Sequence, residues 1–404
     1  MPVHRAPAGG TGAMTALLAL RRQASPPARV IGAAAAPPIV DLATVGASLL
    51  TEWRELAESA VEPNPFFQSG FLLPAANALL PRERLEIAAP RISGQLAGLS
   101  PIVNTMVGGV VQSRLVWVHD YAPLGVPLLA RNRSEEAAVA LLSAAAPDCP
   151  LVVPDLTLDG NAAEALRAAA HFRGRAFDIV GVHRRAALIP QPGGAADLRA
   201  SLASRRRKEY ARQMRRLSDL GDVTVDAAST ATAVAEAFEE FLVLERAGWK
   251  GKKGTAIAVK PQIETFAREA VASMARTGAC QAMALRIDRR PIAIAVSFVH
   301  GDLLCTWKIA HDPEFERFSP GAQLMLELGN HSQRSRSLCR ADSLAAPDHP
   351  MIDHLWRDRL AIGTVVIGPP RRSALYRLGL ASERLQRRAR DRMKTLVHHL
   401  RRRP

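Results

Sequence analysis

Three titratable residues lie close together near the end of the sequence, at Asp342, Asp348 and His349. Asp342 stands near the end of a segment, 338–344, whose apolar residues predict a strand, and the other two follow in a short turn before Pro350. A histidine flanked by carboxylates can act as a general base, because it can take the proton of an attacking hydroxyl or amine. The same residue types also cap turns and helices, so the pattern leaves both roles open.

A second group of residues is suited to holding a phosphate. Ser319 and Pro320 precede an apolar pattern with helical spacing, which predicts Ser319 as the N-cap and Pro320 as the first helical residue. The N-terminus of such a helix offers free N–H groups and a positive dipole end, and Gly321 lets a ligand come close. Taken alone, Ser-Pro-Gly is more often an ordinary helix start without a ligand.

A third group is rich in lysine. Trp249, Lys250, Lys252 and Lys253 stand in the glycine-containing segment 249–256, directly after an amphipathic helical pattern that ends at Gly248. Three cations and a tryptophan suit a loop that stacks on a sugar ring or neutralises a phosphate, so we predict these four residues to bind the substrate. The alternative is that the tryptophan packs under the loop while the lysines remain solvated.

The phosphate and base candidates are positioned by a predicted meander of three strands. The patterns predict strands over 280–287, 292–299 and 303–309, joined by short polar turns, and a helix that begins at Ser319. Three antiparallel strands therefore feed a helix through a loop.

This arrangement resembles the GNAT acyltransferase superfamily, in which such a meander precedes the pyrophosphate-binding helix and the acyl-CoA arm lies against the last strand. The more specific resemblance is to its bacterial CelD-like branch, which is linked with cellulose and exopolysaccharide biosynthesis and related to the FemAB-type transferases. The usual phosphate loop, a Gln or Arg followed by glycines, is absent here. The residues that carry the resemblance are Leu244-Glu245-Arg246-Ala247-Gly248-Trp249-Lys250-Gly251 with Gly254-Thr255-Ala256, Trp307-Lys308-Ile309-Ala310, Phe318-Ser319-Pro320-Gly321 and Pro347-Asp348-His349-Pro350-Met351-Ile352-Asp353.

The resemblance implies that the donor is acetyl-CoA or another acyl-CoA. It places the donor between the strand 303–309 and the helix that starts at Ser319. The residues expected to bind it are Trp307, Lys308, Ile309, Ser319, Gly321 and Ala322.

Composition limits the alternatives. The chain has 404 residues, of which 48% are hydrophobic, enough for two cores, and no apolar run approaches the roughly 20 residues that cross a bilayer. Its four cysteines show no metal-ligand spacing and indicate a reducing compartment. There is no Gly-x-Ser-x-Gly and no Walker loop, which disfavours hydrolase and NTPase functions. We therefore expect a cytoplasmic protein without a metal site.

The formal charge of +15 is concentrated at the end of the chain, where residues 371–404 contain twelve Lys or Arg against Glu383 and Asp391. Leucines recur among these arginines, as in a basic amphipathic helix that could lie on anionic lipid, as at the inner membrane, or on an acidic partner. A solvated helix that covers part of the fold is the alternative. Nucleic acid is not an expected partner, except for tRNA in one alternative function.

The predicted fold class is α/β (α+β), with two tandem GNAT-like domains, each a mixed, mostly antiparallel sheet flanked by helices. Strand patterns around 85–119 and a helix over 134–145 repeat the order of the second half. The predicted layout is a disordered leader over 1–38, an N-terminal scaffold domain over 39–189, a C-terminal acyltransferase domain over 190–370 and the basic tail over 371–404.

The predicted function is direct transfer of an acyl group, most simply acetyl, from coenzyme A to an amine or hydroxyl of a sugar, polysaccharide precursor or related metabolite. His349 or a nearby carboxylate would deprotonate the acceptor, and no covalent enzyme intermediate is needed. One alternative is a FemAB-like aminoacyl transferase that uses aminoacyl-tRNA. The other is a non-catalytic partner in a polysaccharide-synthesis assembly.

Overall fold

The computed structural model describes residues 38–80, 85–190 and 197–401. Its second half contains the predicted meander. Strands β10 to β13 run antiparallel in chain order and are followed by helix α9 and by β14, which pairs with β13 in parallel. The elements of this half are α5 Ser204–Ser218, β10 Val223–Ala228, α6 Ala231–Ala247, α7 Trp249–Lys252, α8 Pro261–Arg276, β11 Cys280–Ile287, β12 Arg290–His300, β13 Leu303–His311, α9 Pro320–Arg334, β14 Arg340–Asp342, α10 Ile352–Leu355, β15 Asp358–Ile367 and α11 Ala374–Arg401.

The tight turn between β11 and β12 shows why the meander forms. Asp288 and Arg289 both have positive φ angles, 47° and 70°. Two consecutive left-handed residues match the right-handed twist of a hairpin, and aspartate tolerates that conformation better than most residues do. The register of the two strands is thereby fixed by the turn.

The first half contributes β1 to β9 and four helices. Most of its strands add to the same sheet, with α3 and α4 packed together. The elements are β1 Ile39–Asp41, α1 Ala47–Glu58, α2 Ser69–Leu79, β2 Glu86–Ala88, β3 Arg91–Ile92, β4 Gln95–Leu96, β5 Gly98–Val107, β6 Val111–Val116, β7 Leu128–Leu129, α3 Ser134–Ala145, β8 Leu151–Thr157, α4 Asn161–Phe172 and β9 Phe177–Leu188.

Within the described residues, thirteen strands form one sheet in the order β1-β2-β5-β6-β8-β15-β9-β14-β13-β12-β11-β10, with β7 paired to β5. The predicted fold class is therefore confirmed: the sheet is mixed and mostly antiparallel, and helices flank it. The predicted domain boundary at 189/190 stays a prediction. Strands from both sides of this boundary belong to the same sheet.

One strand from the second half is inserted between two strands of the first half. β15, which comes almost at the end of the chain, lies between β8 and β9 and is antiparallel to both. Beside it, β9 also pairs with β14, where Arg185 and Asp342 form a fully buried ion pair at 2.9 Å. The two halves are thus joined through the middle of their common sheet.

The main hydrophobic core is also shared by the two halves. The largest buried cluster contains side chains from both halves, and at its centre aromatic rings pack edge to face. Phe71 of the first half lies 5.3 Å from Phe298 and 6.0 Å from Trp307 of the second, measured between ring centroids. Such pairs contribute roughly 0.5–1.5 kcal/mol each beyond the area that they bury.

Candidate functional site

A β-bulge on β13 sets the geometry of the site. Val296 of β12 pairs with Lys308 and Ser297 pairs with Thr306, so Trp307 is the extra residue on β13. A bulge places two consecutive side chains on the same face and reverses the alternation that follows. Trp307 and Lys308 therefore share the face that packs towards α6 and α8, whereas Ile309 belongs to the cluster beneath α9.

Next to the bulge, β13 and β14 separate. The two strands pair only over residues 303–305 and 340–342. Beyond that point the chain after β14 follows β9, because the Ser343 N–H donates to the Ala186 carbonyl. Among the described residues, no strand pairs with the β14 side of Thr306–His311. The backbone of this segment is therefore free to hydrogen-bond to an extended ligand.

The N-terminus of α9 opens into a cleft of about 810 Å³ at the same end of β13. If Gly321 carried a Cβ, it would lie 3.6 Å from the Ile309 side chain and 3.7 Å from Nδ1 of His311. The structure thus brings together four of the predicted donor-binding residues, Ile309, Ser319, Gly321 and Ala322. The cleft is lined by Ala203, Arg205, Arg206, Glu209, Tyr210, Gln213, His311, Glu316, Ser319, Pro320, Gly321, Ala322, Pro350 and Met351.

Helix α5 supplies the charge of this cleft. It is held against the first turn of α9 by the buried Gln323, whose amide donates to the Tyr210 carbonyl at 2.9 Å. Arg205 and Arg206 thereby face the helix N-terminus, while Glu209 of the same helix pairs with Arg212 at 2.7 Å. Two guanidinium groups beside a positive dipole end are suited to binding a phosphate or pyrophosphate.

Ser319 differs from its prediction. It stands at the N-cap position, but its backbone is left-handed, with φ 52° and ψ 48°, and its side chain makes no capping hydrogen bond. The preceding 3-10 turn, Pro313–Phe318, forces this conformation because Ser319 also ends that turn and its N–H donates to the Glu316 carbonyl. The first N–H groups of α9 are therefore left without a side-chain cap, as a ligand site would require.

On the opposite face, Lys308 projects into an aromatic pocket. Its ammonium nitrogen lies 4.6 Å from the ring centroid of Tyr121 and 5.9 Å from that of Trp307. Burial, reinforced by the charge of Lys250, lowers the pKa of Lys308 to about 8. A lysine with this pKa is neutral for a substantial fraction of the time at mildly alkaline pH and can exchange a proton.

His119 and Tyr121 complete this pocket from the first half of the chain. Burial, with the charge of Lys308 beside it, lowers the pKa of His119 to about 3, so the imidazole is neutral. Its Nδ1 accepts from the Tyr121 N–H at 3.3 Å, and its buried Nε2 has no partner in the described part of the chain. Trp307 donates from Nε1 to the Tyr121 carbonyl at 2.9 Å. The Trp307 side chain is thus part of the core, and only its backbone lies where β13 separates from β14.

The predicted substrate loop lies beside this pocket. Trp249 is 57% exposed, and the Lys253 ammonium lies 5.0 Å from its ring centroid. Lys250 does not project freely, because its ammonium pairs at 2.8 Å with the buried carboxylate of Glu245, whose other oxygen accepts from the Ile257 N–H. Lys252 is exposed. The substrate role of these four residues stays a prediction, with Trp249, Lys252 and Lys253 accessible for it.

The three predicted catalytic residues do not hydrogen-bond to one another, and each has different surroundings. Asp342 is committed to Arg185, and its second oxygen accepts from the Leu344 N–H. His349 uses Nδ1 to accept from the Met351 and Ile352 N–H groups at the start of α10. Asp348 is exposed and has a positive φ of 58°. Their catalytic role stays a prediction, but the contacts of Asp342 and His349 are structural.

Sequence reasoning overlooked the pocket formed by His119, Tyr121 and Glu245. The available signal was the run of aromatic and titratable residues from Trp117 to Tyr121 at the end of β6. Nothing in the sequence links that run to Lys308, because the contact joins residues that lie far apart in the chain. Within the described ranges, no group of three or more His, Cys, Asp or Glu is arranged to hold a metal ion.

Comparisons with known proteins support the interpretation of this region. Residues 204–347 match the family model described as an acetyltransferase (GNAT) domain. The match includes α5, the β13 bulge and the first turn of α9, and it ends just before Asp348 and His349. No curated protein sequence matches the chain.

Two solved structures have the same fold. A conserved protein of unknown function from Bacteroides thetaiotaomicron VPI-5482 is 10% identical, with a TM-score of 0.51, and the alignment covers 83% of this chain and 100% of that one. FemX is 12% identical, with a TM-score of 0.50, and 78% and 95% of the two chains are covered. At such identities the likeness shows the fold alone.

Proposed function

We propose that this protein transfers a short acyl group, most simply acetyl, from coenzyme A to an amine or hydroxyl of a sugar or polysaccharide precursor. The observation that carries the proposal is the continuity of the donor site. The uncapped N-terminus of α9, the two arginines of α5 and the unpaired edge of β13 form one path within the region that matches a GNAT acetyltransferase domain.

The donor fits this path by charge and shape. Its pyrophosphate would bind the first N–H groups of α9, with Arg205 and Arg206 beside it, where Gly321 leaves room. Its pantetheine arm would lie along Thr306–His311 and hydrogen-bond to backbone groups that no strand satisfies. The thioester would then reach the bulge at Trp307, where the strand pairing is interrupted and a backbone N–H could polarise the carbonyl oxygen.

The acceptor would attack from the side of Lys308. Its nitrogen or oxygen adds to the thioester carbonyl carbon, a new C–N or C–O bond forms, and the C–S bond breaks to release the coenzyme A thiolate. The neutral amine of Lys308 takes the proton that the acceptor loses, and the resulting ammonium returns that proton to the thiolate through solvent. With a pKa of about 8, roughly a tenth of Lys308 is neutral at pH 7, which suffices for a general base.

The surface next to Lys308 suits a sugar. Trp249 offers an exposed ring for stacking on a pyranose, and Lys252 and Lys253 can pair with an attached phosphate. The choice of a polysaccharide precursor as the acceptor class comes from the resemblance of the sequence to the CelD-like branch. The surface around Trp249 is compatible with that choice.

Calorimetry with acetyl-CoA tests the donor. We expect micromolar to millimolar binding to the full chain, and a loss of affinity of at least about tenfold in the double variant Arg205→Glu, Arg206→Glu, which reverses two phosphate contacts. The matched control reverses two exposed arginines away from the cleft, Arg54→Glu and Arg276→Glu, and should bind normally. Equal affinity in all three proteins would refute the placement, and no binding to the unaltered chain would refute the donor.

Aminoacyl-tRNA is the alternative donor, and one observation favours testing it. Helix α5 carries seven basic residues between Arg205 and Arg216, most of them exposed. An RNA ligand would lose affinity steeply as salt rises, because each phosphate contact releases counterions, whereas acetyl-CoA would lose much less. Titrating both donors at two salt concentrations distinguishes them. Acetyl-CoA binding without turnover on any acceptor would indicate a non-catalytic partner of a polysaccharide-synthesis assembly.

A further inference from the structure

Helix α11 has a face that the fold does not use. Its inner side packs on the sheet, where Tyr376 and Leu380 are buried against Val107, Val180 and Val366. None of these residues lines the cleft at α9 or belongs to the rings around the Lys308 ammonium. The helix is therefore available for a role other than acyl transfer.

The orientation of α11 is fixed by close packing. A Cβ on Gly108 would lie only 2.1 Å from the Gly379 carbonyl oxygen, so the β5–β6 hairpin and the helix meet backbone to backbone. Asp178 of β9 accepts from the Tyr376 hydroxyl at 3.3 Å and from the Arg384 guanidinium at 2.9 Å. The outer face is consequently presented in one direction.

That outer face carries an apolar stripe. Leu375, Leu378, Leu385 and Met393 are 53%, 64%, 69% and 66% exposed. At 3.6 residues per turn, these four positions fall within an arc of roughly 80°. Large apolar side chains are normally exposed singly, so four on one arc of a helix mark an interaction surface.

Arginines border the stripe on one side. Arg377, Arg384 and Arg388 occupy the adjacent arc, and Arg377 and Arg388 are exposed. Between residues 371 and 389 the sequence has a single acid, Glu383. It points inward, where its carboxylate accepts from Arg387 at 2.7 Å and from the Gly108 N–H at 3.2 Å. The outer face of this segment is therefore apolar and positive, without acidic side chains.

We propose that the outer face of α11 docks on an anionic lipid surface, with the helix axis in the plane of the membrane. Such a surface satisfies both properties, because acyl chains accept the leucines while anionic headgroups pair with the arginines. A second copy of the chain would instead bring the same arginines against each other, and nucleic acid would leave the apolar stripe in water. No helix within the described ranges is long and apolar enough to span a bilayer.

Vesicle sedimentation with the full chain tests this docking. The probes are vesicles of phosphatidylcholine alone and of phosphatidylcholine mixed with an equal amount of phosphatidylglycerol. Two variants alter the surface: Leu378→Ser with Leu385→Ser removes apolar area, and Arg377→Glu with Arg388→Glu reverses charge. Two controls make the same changes elsewhere on the exposed surface: Val243→Ser with Val259→Ser, and Arg54→Glu with Arg276→Glu.

We expect binding to the anionic vesicles, little binding to phosphatidylcholine alone, and a partition coefficient at least about tenfold lower for each surface variant, with normal binding by the controls. Circular dichroism and melting temperature verify that each variant is folded. Absence of binding by the unaltered chain, or unchanged binding by both surface variants, would overturn the proposal. So would a dimer in sedimentation velocity that Leu378→Ser with Leu385→Ser dissociates, since the stripe would then be a subunit interface.

Discussion

Replacing Lys308 with methionine should stabilise the protein at neutral pH. The ammonium group is held in an aromatic pocket where burial disfavours its charge, and the rings of Tyr121 and Trp307 with the charges of Glu245 and Asp120 compensate only in part. Methionine has a similar length and no charge, so it fills the pocket without the desolvation cost.

The magnitude follows from the pKa of Lys308, which falls from 10.5 to about 8 on folding. Below pH 8 the lysine is charged in both states, and the folded state bears the full cost, about 3 kcal/mol as an upper value because part of the residue is exposed. Between pH 8 and 10.5 the folded state loses its proton before the unfolded state does. The cost therefore declines with rising pH and is about 1 kcal/mol at pH 10.

Urea unfolding at pH 7 and pH 10 measures this difference. The free energy of unfolding of the Lys308→Met variant should exceed that of the unaltered chain by up to about 3 kcal/mol at pH 7 and by about 1 kcal/mol at pH 10. Lys260→Met, at an exposed position, is the control for general effects of pH and charge, and its difference should stay near zero. A Lys308→Met difference that does not change with pH would refute the reasoning, because the lysine would then have an ordinary pKa.

Three further outcomes are expected. Gly321→Asp should lower acetyl-CoA affinity at least about tenfold in calorimetry, because a carboxylate would occupy the anion site. Gly321→Ala, whose Cβ meets only ordinary contacts within the protein, should lose much less affinity than Gly321→Asp, and equal loss in both would mean that shape alone matters. Arg185→Leu should cost about 3–5 kcal/mol in urea unfolding by leaving Asp342 buried without its partner, and adding Asp342→Leu should recover most of the loss; no recovery would contradict the ion-pair account. His349→Ala should lower the free energy of unfolding by about 1 kcal/mol, because the capping hydrogen bonds of His349 are lost, while turnover stays within a factor of a few. A large fall in turnover would indicate that His349 is the general base.

The sequence predicted well those elements whose signals are local. The strand over 280–287 has the observed bounds of β11, and the helix over 134–145 has those of α3. In both cases turn residues and hydrophobic spacing act within a few residues of each other. The convergence of Ile309 and Gly321 was also predictable, because a strand followed directly by a helix leaves few arrangements open.

The parts that could not be predicted depend on distant contacts. The bulge at Trp307 is one extra residue on β13 opposite two consecutive residues of β12. The pattern of apolar and polar residues within β13 does not reveal it, because it depends on the pairing with the neighbouring strand. Helical spacing places Glu245 on the buried side of α6, but its pairing with Lys250 depends on the turn that follows Gly248. The pKa of Lys308 depends in turn on rings supplied by the other half of the chain.

The position of β15 has a consequence for how the protein is made. Val365 pairs with Val153, which a ribosome has synthesised about 210 residues earlier, so the facing edges of β8 and β9 remain open until β15 has been made. Open edges of apolar strands attract other strands, and non-local pairing is slow. The first half therefore cannot mature as it emerges, and a product cut short before Asp358 is left with an unfilled slot in its sheet. We therefore expect a copy truncated before Asp358 to expose these edges and to aggregate more readily than the full chain.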